Sequence, residues 1–196
     1  MLRMTGNRRT TPVPSTPLRA RRGIGLGVAA FFLGACWPYR SALASHVVRP
    51  WPAGRPVPPL DLVDLDGRRW NIDALAGKVA VLNFWATWCE PCRVEMPSLE
   101  AMAARRRGQG VAVVAVNYLE APAKIRRFLE RAPFQPPILL DSDGDATVAW
   151  TPRVFPSTVL VGRDGKPAHT VVGELDWGAA EANALLDPLI AVGYKP

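Results

Sequence analysis

Histidine and cysteine are scarce in this chain of 196 residues, which holds two of the first and three of the second. A zinc site takes about four nitrogen or sulfur ligands. With one close cysteine pair and only His46 and His169 to join it, no metal is expected, and both histidines read as surface or packing residues. Acid and lysine are absent from the first 44 residues, where seven arginines stand. Those seven account for the whole formal charge of +7, and the other 152 residues balance 17 basic against 17 acidic groups. The body of the chain therefore gives no compositional support to a nucleic-acid partner. Internal repeats and low-complexity tracts are absent after residue 59.

Also missing from the N-terminal segment is an apolar run of the roughly 20 residues that a comfortable membrane span needs. The uncharged stretch from Gly23 to Tyr39, behind Arg21-Arg22, has the length and basic flank of a secretory signal core. Three fates fit it. Ala42-Leu43-Ala44 is a small-residue cleavage site, Leu33-Gly34-Ala35-Cys36 resembles the lipobox of bacterial lipoproteins, and an uncleaved short anchor is the third. Arg21-Arg22 bears a weaker similarity to a twin-arginine export signal. Each places the folded part in the periplasm or cell envelope, exported and free or membrane-tethered, where disulfides persist. A cytosolic protein with a basic arm is the bland alternative.

Residues 45–59 contain five prolines (Pro50, Pro52, Pro56, Pro58 and Pro59), which suggests an extended linker. One domain over 57–193 should follow. Apolar, β-branched runs at 79–85 and 111–116 read as buried strands of a parallel pair, with a helix over 90–107 between them, closed by Gly108 and Gly110. A helix over 121–131, a strand over 138–140 and a hairpin of 158–161 with 168–172 around Asp164-Gly165 come next. A last helix over 178–192 has Asp176 as its cap and a kink at Pro188. An earlier hairpin pairs 60–65 with 70–72 at Asp66-Gly67. The order predicts an α/β fold: a mixed central sheet flanked by helices, with an N-terminal β-hairpin and a strand/helix insert. The runs Arg105-Arg106-Arg107 and Arg126-Arg127 read as solvated charge at helix ends or exposed faces.

The chemistry concentrates in Cys89-Glu90-Pro91-Cys92, at the junction of the first buried strand with the helix. A helix N-terminus aims unsatisfied N–H groups and the positive end of its dipole at Cys89, favouring thiolate over thiol. Spacing of three sets Cys92 one turn behind on the same face, within reach of a disulfide. Pro91 is tolerated because first-turn amides have no intrahelical partner to lose. A purely structural bond over so small a loop gains little chain entropy, so redox chemistry is the stronger reading.

The string from Asn83 to Pro97, Asn-Phe-Trp-Ala-Thr-Trp-Cys-Glu-Pro-Cys-Arg-Val-Glu-Met-Pro, resembles the active-site region of the TlpA/ResA-like branch of the thioredoxin superfamily. That branch comprises exported, often membrane-tethered thiol-disulfide oxidoreductases with redoxin-like domains. The resemblance implies a thioredoxin-like fold, with Cys89 as the attacking thiol, Cys92 as the resolving one and Trp88 shielding the pair. It implies a proton-handling role for Glu95, three residues after Cys92, because Asn83 stands where cytosolic thioredoxins carry a buried aspartate. Pro97 matches the proline that kinks this helix, and Pro156 the cis-proline beside the disulfide. Phe155 departs from the small or β-branched residue usual before that proline, so the partner groove is expected to differ. The resemblance further implies protein disulfide substrates, cytochrome c maturation or oxidase copper-site assembly as the setting, a membrane electron donor of the CcdA or DsbD type, no cofactor, and a monomer.

A reductase is the expected direction, because Glu90 places negative charge near the Cys89 thiolate and so argues against the destabilised disulfide of an oxidase. Two rivals stand beside it. A redoxin-type peroxidase wants a proline and a threonine or serine ahead of its cysteine at set spacing; Thr87 lies two residues before Cys89 rather than three, and no proline lies between Val79 and Cys89. A Cu(I) chaperone would use Cys89 and Cys92 as soft ligands.

Overall fold

The structure, a computed structural model, describes residues 46–192. The expected export segment, with Cys36 and the junction after Ala44, lies outside the described residues. In chain order these form β1 (Val47–Pro50), β2 (Asp61–Val63), β3 (Arg69–Asn71), β4 (Val79–Trp85), α1 (Glu90–Arg106), β5 (Val111–Tyr118), α2 (Pro122–Leu129), β6 (Ile138–Asp141), α3 (Asp145–Trp150), β7 (Ser157–Val161), β8 (Pro167–Val172) and α4 (Ala180–Ala191). Short 3-10 turns stand at Ile72–Leu75 and Arg107–Gln109.

Six strands make one mixed sheet in the order β1-β8-β7-β4-β5-β6. β4 runs parallel to β5 and antiparallel to β7, so it is central, and all seven of its residues are buried. Successive side chains of a strand face opposite ways. Val79, Val81 and Trp85 accordingly pack with Leu99 and Met102 of α1 and Leu186 of α4, while Ala80, Leu82 and Phe84 pack with Val114, Leu139 and Trp150 on the other face. Both faces are thus covered, which is why this strand reads as a continuous apolar run. Each such leucine contributes roughly 2 kcal/mol by burial. The same alternation turns Asn83 toward the α1 face.

The β2–β3 hairpin forms a separate two-stranded sheet as expected. An isolated bridge, Asp64 with Leu139, and a bond from Leu65 N–H to the Ile138 carbonyl fasten it to β6. After α1, Gly110 adopts φ +73°, and a Cβ there would stand 2.7 Å from the Arg163 guanidinium. Glycine is the residue that fits this reversal.

Four expectations need correction. The proline-rich stretch is not a free linker: β1 pairs antiparallel with β8, and Trp51 N–H continues the ladder to the Ala168 carbonyl. Pro50 ends that strand at the sheet margin, where its missing N–H costs nothing. Trp51 packs at 5.9 Å from Trp150 and carries the Arg55 guanidinium over its ring at 4.4 Å. Helix α3 was not expected at all; Asp141 nucleates it by accepting from Ala146 N–H, Thr147 N–H and the Thr147 hydroxyl. Asp176 does not cap α4, which starts behind Ala179; its carboxylate accepts from Gly178 N–H in the preceding turn. Lastly, the arginine runs are not merely solvated. Arg106, with 17% of its side chain exposed, donates to Gln109 and Asn183 and pairs with Asp187 at 2.8 Å, while Arg105 reaches the Trp177 carbonyl and Arg126 that of Leu65.

Candidate active site

β4 ends at Trp85, and the chain turns through Ala86, Thr87 and Trp88 into α1. The turn is closed by Cys89 N–H donating to the Ala86 carbonyl at 3.1 Å. Cys89 is the N-cap of α1, and its sulfur accepts from Cys92 N–H at 3.2 Å, so one first-turn amide is spent on the sulfur itself. Cys89 and Cys92 are joined as a disulfide with Cα atoms 5.3 Å apart. Both are buried, Pro91 sits in the first helical turn, and Glu90 is exposed beside them. Pro97 lies inside α1.

Glu95 lies one turn further along the helix and is only 2% exposed. Its Oε1 accepts from Asn83 Nδ2 at 2.7 Å and its Oε2 from Leu175 N–H at 3.3 Å. The same Asn83 amide donates to the Thr158 hydroxyl at 3.0 Å, tying the carboxyl to β4 and β7 together. Burial pushes Glu95 up to about 7, against the opposing pull of Leu175, Asn83 and the Trp177 indole, and Glu174 adds a smaller push in the same direction as burial. A carboxyl in that range exchanges its proton near neutral pH, as proton transfer to or from a sulfur requires.

A second buried carboxylate, Glu120, stands at the same end of the sheet and behaves in the opposite way. Burial opposes its charge, but Lys124 and Thr87, then Asn117, outweigh it and hold the carboxyl below its ordinary value. Thr87 donates twice, from N–H and hydroxyl, both at 2.6 Å; Asn117 donates at 2.9 Å and Lys124 at 2.6 Å. Glu120 thereby fastens the segment leading into Cys89 to the end of β5. No local pattern marks this residue, since Thr87 and Glu120 are 33 positions apart.

The Phe155-Pro156 bond is cis, as expected. Phe155 is half-buried between Trp88, edge-on at 5.8 Å, and Tyr118 at 5.3 Å. The bulk that set this position apart in the sequence is thus absorbed by an aromatic row crossing the site. Trp88 is 60% exposed and forms the outer end of that row. The structure therefore brings Trp88, Cys89, Glu90, Pro91, Cys92 and Glu95 together on one turn and helix, and joins Phe155 to Trp88 from the β7 side. His46 and His169 take no part in this arrangement; His46 bonds Glu181 at 2.9 Å.

The redoxin family model matches residues 52–186. The thiol-disulfide oxidoreductase ResA of Bacillus subtilis is 34% identical over 122 residues, which is 62% of this chain and 68% of that protein. Among solved structures, DsbF of Mycobacterium tuberculosis superposes with a TM-score of 0.60 at 27% identity, covering 66% of this chain and 94% of the other. A secreted disulfide oxidoreductase of the same organism, described as homologous to Escherichia coli DsbE, gives 0.54 at 27% identity, covering 67% and 94%.

Proposed function

From the premise that this chain belongs to the redoxin family, in its TlpA/ResA-like branch of thioredoxin-like thiol-disulfide oxidoreductases, we propose that it is an exported protein-disulfide reductase of the cell envelope. The observation that carries the reading is the pair Cys89–Cys92 at a helix N-terminus, one turn from a buried carboxyl raised to about 7.

In the reduced enzyme the Cys89 thiolate attacks a substrate disulfide. A mixed disulfide forms and one substrate sulfur leaves as thiolate. The Cys92 thiol gives its proton to Glu95 and attacks Cys89 Sγ, which releases the second substrate sulfur and leaves the Cys89–Cys92 disulfide. Two electrons have passed to the substrate. Phe155, packed on Trp88, and cis-Pro156 after it would flank an extended substrate segment at the dithiol, with Trp88 on the outer side. A membrane donor of the CcdA or DsbD type would return the electrons. Cytochrome c maturation or copper-site assembly is the setting we propose, and the secreted relative supports an envelope location.

Equilibration with glutathione tests the direction. A reductase should show a potential well below the roughly −120 mV of a strong periplasmic oxidant, toward the roughly −270 mV of thioredoxin. A value at the oxidising end overturns the assignment. Cys92→Ala should hold its substrate as a stable mixed disulfide on Cys89, detected as a thiol-sensitive adduct in envelope extracts. If none forms, exchange with protein disulfides is wrong.

A further inference from the structure

Two arginines beside the dithiol, and a third just before the cis-proline, are left unused by the fold. Arg106, Arg126 and Arg163 are spent on side chains or carbonyls of other elements, whereas Arg49, Arg107 and Arg127 are exposed and, among the described residues, unpaired away from the site. Arg93, Arg131 and Arg153 are exposed and make no side-chain hydrogen bond or ion pair among the described residues. Arg93 and Arg131 line a groove of about 410 Å³ with Glu90, Val94, Phe128 and Ala132. Glu90 and Arg93 directly follow Cys89 and Cys92 in the chain, so the groove adjoins the dithiol. Val94, 58% exposed, and the half-buried Phe128 give it an apolar floor.

Arg153 stands three residues before cis-Pro156, with φ +61°, a conformation that L side chains seldom adopt. It precedes β7, whereas Phe128 and Arg131 belong to α2 and its C-terminal end, after β5. Because β4 lies between β7 and β5, the segments on either side of the strand that leads to Cys89 each carry an unpaired arginine. Glu90, the one acid of the groove lining, has no ion-pair partner either, so the three arginines keep an excess of positive charge around the site.

We propose that the groove and Arg153 form a docking surface for an acidic, cysteine-bearing segment of the partner protein. The partner's cysteine meets Cys89, its Asp or Glu side chains reach Arg93 and Arg131 on one flank and Arg153 on the other, and an apolar side chain seats on Val94 and Phe128. Glu90 disfavours an acid immediately beside the attacked cysteine. A charged cleft of this kind acts mainly on the rate of encounter and weakens with salt. This inference rests on the disulfide-exchange reading above.

The test uses the reduced full chain and three disulfide peptides identical except for their flanks, acidic, amide or lysine, with uncharged hydroxyethyl disulfide as the fourth substrate. At low salt the acidic peptide should react about tenfold faster than the lysine peptide, a gap that closes as salt is added. Arg93→Glu with Arg131→Glu should reverse the order of the peptides. The ratio of each peptide rate to the hydroxyethyl disulfide rate removes any effect of the substitutions on the thiolate itself. Equal rates for the three peptides, or an order unchanged by charge reversal, overturn the docking surface alone. Failure to react with any of the four, hydroxyethyl disulfide included, overturns the disulfide-exchange reading and the docking surface with it.

Discussion

Glu95 and Glu120 are carboxyls buried at one end of the same sheet, and their neighbours set them to different tasks. Glu120 faces four donated hydrogen bonds, one from an ammonium, and stays charged. Glu95 faces only neutral donors inside an apolar surround and holds its proton up to about pH 7. An unfolded chain releases that proton near 4.5, so between 4.5 and 7 the folded state binds more protons than the unfolded one. Stability should therefore fall as pH rises through this window and level off above it. Glu95→Gln cannot ionise yet keeps an acceptor for Asn83. In urea denaturation of the oxidised protein, it should match the parent near pH 4 and exceed it at pH 8 by an amount of order 2–3 kcal/mol. The same substitution should slow the Cys92 step, seen as a mixed disulfide that persists longer in quenched-flow samples at pH 7.

Helices α1 and α4 are held at one end by a single side chain, Arg106, which bonds Asn183 at 2.7 Å and Asp187 at 2.8 Å. Arg106→Ala should lower stability by about 1–2 kcal/mol, since the hydrogen bonds are charge-assisted but Asp187 is half exposed. The potential of the dithiol should not move, and a glutathione titration of the variant checks that. The sequence conceals this role because a run of arginines at a helix end looks the same whether it is solvated or docked. Legibility followed length and locality. β4, α1 and β5 carry enough apolar residues to declare their period, and the cysteine motif lies within one turn of helix. α3 has six residues, too few to show a period, and its organiser Asp141 looked like any loop acid. Glu95 was legible because the resemblance places a glutamate at this position, three residues after Cys92 on the helix. Its partner Thr158 is 75 residues from Asn83, and only the folded sheet brings them together.

At the scale of the molecule, the dithiol sits where the central strand β4 gives way to a helix, with loops from β5 and β7 closing around it. The register carries this end of the sheet across to the margin: Phe84 opposes Ser157, Ser157 opposes Val172, and Val172 opposes Val47. The chain therefore joins the sheet at the same end as its redox chemistry. β1 also closes one margin of the sheet, as the Asp64–Leu139 bridge does in part at the other. A protein trimmed to start at Val57, where the sequence suggests a domain boundary, would leave the β8 backbone groups unpaired along a bare edge. Such an edge is a template for another chain. The shortened protein should self-associate with rising concentration in sedimentation velocity runs, while the one retaining residues 46–56 should not. The proline-rich stretch that resembled packaging is, in that sense, the seal that keeps one copy of this sheet from pairing with the next.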